Sequence, residues 1–115
     1  MPLSPDTTQS LLKALGSWIR WVSLNDGLGV ETQADREPIT WDISPTQLTS
    51  NIDVEFVVPH ASELAMLGYW TAQTGGTCLG TRYLDESVMF RETGYYVIRS
   101  GSITEKLADR EMLNA

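Results

Sequence analysis

Apolar residues near the start of the chain fall at Leu11, Leu12, Leu15, Trp18, Ile19 and Val22. These spacings trace one stripe of a helix with 3.6 residues per turn. The pattern predicts an amphipathic helix within Ser4–Leu24. Ser4 is placed to cap it, Pro5 sits where a missing N–H costs nothing, and Asp6 meets the positive helix end. Asn25-Asp26-Gly27 is the expected stop, with Trp21 to one side of the stripe.

Beyond this point the period falls to two. Leu28–Pro38 has no regular pattern and reads as a loop long enough to be mobile. Ile39–Ile43 alternates as a short strand, and a turn-rich connection follows. Ile52, Val54, Phe56 and Val58 share one face while Asp53 and Glu55 point the other way, a half-buried strand ended by Pro59. Residues 61–73 carry two signals, helix formers in "ASELAML" and then the strand-like "GYWTA", and periodicity leaves both open.

After Gly75-Gly76, the runs "TCLGTRYL", "SVMFRE", "YYVIR" and "SITEKLA" are separated by Asp85-Glu86, Thr93-Gly94 and Ser100-Gly101. Apolar runs parted by two-residue turn signals predict an antiparallel meander. With two-residue loops, Met89, Ile98 and Ile103 would form one apolar row. Arg91, Tyr96 and Glu105 would form a polar ladder beside it. The final segment, 105–115, continues the last strand or turns into a helix. The expected fold class is α+β, one domain over residues 1–115. Its N-terminal amphipathic helix packs on an antiparallel β-sheet made of a C-terminal meander of about four strands plus one or two earlier strands.

Composition narrows the function classes. A chain of 115 residues with 42% hydrophobic residues supports one core. It has no apolar run of membrane-spanning length, so no membrane partner is expected. "MPLSPDTTQS" lacks the basic and apolar regions of a signal peptide, and a lone cysteine fits a reducing compartment, so the expected localisation is cytoplasmic. Between Asp26 and Glu63 eight acids stand against Arg36 alone, which accounts for the whole net charge of −7. Such a field argues against direct nucleic-acid binding and favours a protein partner with a basic surface, or simply keeps the domain soluble.

Chemical motifs are sparse. His60 and Cys78 are the only histidine and the only cysteine. No local motif joins them as base and nucleophile, so His60 reads first as a turn residue, with a general base, a proton-linked switch or a ligand- or partner-binding residue as its functional alternative, and Cys78 reads as a small buried hydrophobe. One histidine and one cysteine make a poor zinc set, and the acids miss the calcium-loop spacing; no metal or cofactor is expected. Asp53 and Glu55, two apart on a strand, are candidates for contact with a cation or a basic partner. "TGGTCLG" lacks both the lysine and the following helix of a phosphate loop. Its glycines are expected to shape a turn.

Two principal readings follow. In the first, the chain is a non-enzymatic interaction module that binds a protein partner with a basic surface, with a homodimer formed through an outer sheet face of Phe90, Tyr95 and Val97. In the second, a small-molecule pocket lies between helix and sheet. Trp70, Tyr83 and Tyr96 would line it, and Arg82 or Arg91 would meet an anionic group. A third, weaker reading is an acidic mimic of nucleic acid, which needs acids in regular rows.

Overall fold

The computed structural model describes residues 4–107. Helix α1 (Pro5–Trp18) starts as its sequence dictates: Ser4 is extended and its Oγ accepts from Thr7 N at 3.2 Å, with Pro5 and Asp6 in the first turn. It ends at Trp18 rather than running to Leu24. From there, Arg20 N donates to Trp70 O and Ile39 N donates to Arg20 O. The chain then enters strand β1 (Trp21–Asn25). Flanking strands give β1 a ladder on each edge and bury Val22–Asn25, more than a solvent-facing helical turn offers. Only Leu12 of the helix is fully buried, and Trp18 is 56% exposed. Asn25-Asp26-Gly27 remains a turn, with Asp26 Oδ1 accepting from Leu28 N and Val30 N.

Three antiparallel sheets surround one core. In the first, β2 (Glu37–Pro38), β1, β6 (Ser62–Trp70) and β7 (Cys78–Phe90) lie in that order. The second joins β3 (Trp41–Ile43), β4 (Leu48–Ser50) and β9 (Thr104–Glu105), and the third pairs β5 (Val54–Val58) with β8 (Gly94–Ile98). Val22, Leu24, Phe56, Leu64, Leu67 and Ile103 are among the core side chains. α1 packs on β3 and β4: a Cβ on Gly16 would stand 3.2 Å from Leu48, and Trp41 Nε1 donates to Ile19 O at 3.0 Å. The architecture is α+β, a helix on antiparallel sheet, as the pattern predicts. Among the described residues no helix is long and apolar enough to cross a membrane.

β5 alternates buried and exposed residues as expected. Residues 62–70 are strand, because β1 and β7 hold β6 from both edges and override the helix propensity of Glu63–Met66. The C-terminal third departs from the expected meander. β7 is one strand of 13 residues, and Asp85-Glu86 is not a loop. Leu64 pairs with Val88 and Met66 with Tyr83, so Leu84–Ser87 all stand opposite Ala65 in a large bulge.

β8 then pairs with β5, Tyr96 opposite Phe56 and Ile98 opposite Val54, while β9 pairs with β4. Neither the Met89–Ile98–Ile103 row nor the Arg91–Tyr96–Glu105 ladder forms. The apolar row of Val54, Phe56 and Val58 gives β8 a buried face that a bulged β7 cannot. Phe90 turns inward, its ring edge-on to Tyr96 and filling the place of a Gly94 side chain. The outer apolar face of β5–β8 is therefore Val57, Tyr95 and Val97, without Phe90. Of the segment 105–115, residues 108–115 lie outside the described residues.

Candidate functional site

The failure of β7 and β8 to pair leaves a cleft of about 420 Å³ between them. Leu67 and Ile103, both buried, contribute to its floor, with Leu84, Val88 and Ile98 beside them. Its polar lining is Arg82, Asp85, Glu86, Arg99, Ser102 and the phenols of Tyr83 and Tyr96. Three residues expected at a site therefore meet here: Arg82, Tyr83 and Tyr96. Tyr83 is 72% exposed at the mouth, whereas Tyr96 is half-buried against Phe90.

The charges of the cleft are unequally satisfied. Arg82 Nη1 donates to Thr104 O at 2.8 Å and to Glu105 Oε2 at 2.9 Å. The same Glu105 oxygen accepts the Tyr69 hydroxyl. Burial first, then the bond to Glu105, pushes the Tyr69 phenol far above its ordinary pKa, so it stays a donor. This triad ties β9 across β6 and β7 and occupies Arg82, which is not a free cation for an anionic ligand. Arg99 Nη1 stands 3.3 Å from Asp53 Oδ2. Among the described residues, Asp85 and Glu86 have no ion-pair partner. Burial and then the nearby Asp85 charge raise the Tyr96 phenol. Among the described residues, the rim therefore presents two carboxylates without an ion-pair partner beside two aromatic rings, over an apolar floor.

The other expected residues lie elsewhere. Trp70 faces a different network: the Arg36 guanidinium stacks 3.5 Å from its ring centroid, and its Nε1 donates to Ser23 Oγ at 2.8 Å. Ser23 in turn donates to Asn25 Oδ1 at 2.6 Å. Arg91 follows β7 directly and is exposed. Glu55 is exposed on the outer face opposite Val97. Asp53 is held by Ser100 N at 2.7 Å and by Arg99, which keep its carboxyl below the usual range.

His60 sets Nε2 2.7 Å from Gln33 Oε1 and Nδ1 3.1 Å from Ala61 O. Cys78 is exposed rather than buried, since β7 is an edge strand whose first residues lie open to solvent. Ser62 pairs with Phe90 and Trp70 with Cys78, so His60 and Cys78 sit at opposite ends of the β6–β7 ladder, about 25 Å apart at 3.3 Å per residue. They do not form a catalytic pair. The double glycine makes a left-handed turn (φ +63° and +70°) that offers the Gly75 carbonyl to Arg36.

Sequence reasoning missed Asp85 and Glu86. Their composition is that of a turn, and the signal that distinguishes a bulge, the register of β6, is not local. No family model, no curated protein and no solved structure matches the chain.

Proposed function

We propose that the protein is a small acidic, non-enzymatic interaction module that binds a protein partner through a basic segment seated in the β7–β8 cleft. The observation that carries this reading is the Asp85-Glu86 carboxylate pair, which has no ion-pair partner among the described residues, beside Tyr83 and Tyr96. Carboxylates attract Lys and Arg, and phenol rings add cation–π contact. The remaining negative charge of the chain steers such a partner toward the protein. The homodimer part of the reading is supported by exposed Val57, Tyr95 and Val97 on the outer face of β5–β8. A small organic amine is the second reading, favoured by a cleft volume within the ordinary range for ligands.

The test uses labelled polylysine and polyglutamate with the full chain, in fluorescence anisotropy. Polylysine is expected to bind and polyglutamate not. Neutralising the rim in Asp85→Asn/Glu86→Gln should weaken polylysine binding more than neutralising two acids that do not line the cleft, in Asp6→Asn/Asp35→Asn. Equal losses in the two variants would mean that only net charge matters, and the cleft would not be the contact. A thermal shift with small amines but none with polylysine would favour the second reading. Sedimentation velocity of the unmodified chain reports the dimer.

A further inference from the structure

The main chain that walls the cleft specifies the occupant further. β8 and the residue after it contribute Tyr96, Val97, Ile98 and Arg99 in succession. Side chains along a strand alternate between faces, so consecutive residues border one space only when the strand presents its edge to it. β8 pairs with β5 through all of Gly94–Ile98 without a bulge, and among the described residues its other edge has no strand partner. The β5–β8 sheet thus has two strands, a number that is marginal by itself, and ends in a regular open edge beside the cleft.

β7 also turns an edge toward the cleft, but Leu84–Ser87 bulge there. A bulge bends and twists the strand and blunts its edge for pairing. That is why β7 and β8 stay apart although only residues 91–93 join them. The same bulge carries Asp85 and Glu86 to the rim. One wall is therefore a hydrogen-bonding template and the other holds the charges.

We propose that the cleft takes an extended peptide that adds to β8 as the third strand of the β5–β8 sheet, with Lys or Arg side chains reaching Asp85 and Glu86. Main-chain bonds to β8 supply affinity independent of sequence, and alternate side chains supply specificity. Side chains of one parity lie over Leu67, Val88 and Ile103, which favours apolar residues there. Those of the other parity face the rim. This inference rests on the reading that a basic partner occupies the cleft.

The test uses short labelled peptides alternating Lys or Arg with Val, Leu or Tyr, titrated against the full chain. Two further sets carry the same sequences with backbone N-methyl groups on the odd or on the even amides. A peptide strand turns alternate amides to opposite edges, so one set should lose about tenfold or more in affinity while the other stays near the parent. Hydrogen exchange at alternate β8 amides should slow on binding of the parent. If both N-methyl sets bind like the parent, and Asp85→Asn/Glu86→Gln weakens all three, strand addition is overturned and the basic-partner reading stands. If no basic peptide binds, or the rim variant changes nothing, both fail.

Discussion

Gly68 is glycine because its side-chain space is already taken. A Cβ there would lie 2.5 Å from Ser23 Oγ, 3.0 Å from Trp70 Nε1 and 3.1 Å from Asn25 Oδ1. The glycine therefore lets three buried or half-buried polar groups from β1 and β6 satisfy one another. Asn25 completes the chain by donating from Nδ2 to Gly29 O at 3.0 Å, which holds the turn after β1. Gly68→Ala must push Ser23 or Trp70 aside, and either move leaves a buried polar group short of a partner. Overpacking of this kind costs about 1–3 kcal/mol. Urea unfolding should show that loss with an unchanged m-value, together with altered tryptophan emission. A variant as stable as the parent would mean that the network has room to spare. Trp70 is legible in the sequence as an aromatic in need of a partner. That its partner is Ser23 rather than a ligand depends on the register of β1 against β6.

Among the elements, the segment between β1 and β2 departs most from its sequence pattern. Irregular and glycine-containing, it reads as mobile, yet Arg36 fastens it. The guanidinium makes a two-pronged bond with Glu31 at 2.8 and 3.0 Å and donates to the carbonyls of Ala72 and Gly75 at 2.9 and 2.7 Å. Its flat face rests on Trp70. A planar group with donors on several sides can do all of this; an ammonium cannot. Arg36→Lys is therefore expected to destabilise nearly as much as Arg36→Ala, on the order of 2–3 kcal/mol, by loss of charged hydrogen bonds and cation–π contact. Thermal unfolding of both variants checks this, and recovery of most of the stability by lysine would reduce Arg36 to a simple charge.

The elements also show what a linear pattern encodes. β5 is legible because alternation is the cause of its burial: one face meets the core and the other meets water. β6 is not, because both of its faces are largely covered and nothing polar marks a period. The start of α1 is legible through its local cap, but its end is set by the distant Trp70 carbonyl. β7 and β8 are recognisable as strands, while their partners are decided by a bulge and by the apolar row of β5. The candidate site inherits this division. Arg82, Tyr83 and Tyr96 are visible from residue type, and Asp85-Glu86 is hidden behind the composition of a turn.

At the scale of the whole molecule, four of the eight acids between Asp26 and Glu63 are engaged by neighbouring groups. Asp26 holds a turn, Glu31 pairs with Arg36, Asp42 accepts from Asn51 Nδ2, and Asp53 is bound by Ser100 and Arg99. Glu37 carries an electrostatic cost instead. Burial first, and then the charges of Asp35 and Glu55, raise its pKa above the ordinary 4.5. A carboxyl with a raised pKa in the fold favours folding while it is protonated, and this contribution disappears as pH rises through the folded value. At neutral pH, Glu37 therefore works against folding. Glu37→Gln should raise the melting temperature at about pH 7, and the gain should vanish below about pH 4, where Glu37 of the parent is protonated too. Added salt should shrink the gain only in part, because it screens Asp35 and Glu55 but leaves the burial cost. The same variant separates steering from contact. Removing one distant charge should slow association of a basic peptide slightly and leave its dissociation unchanged, whereas Asp85→Asn should speed dissociation. Equal effects of the two variants on dissociation would place the contact outside the cleft.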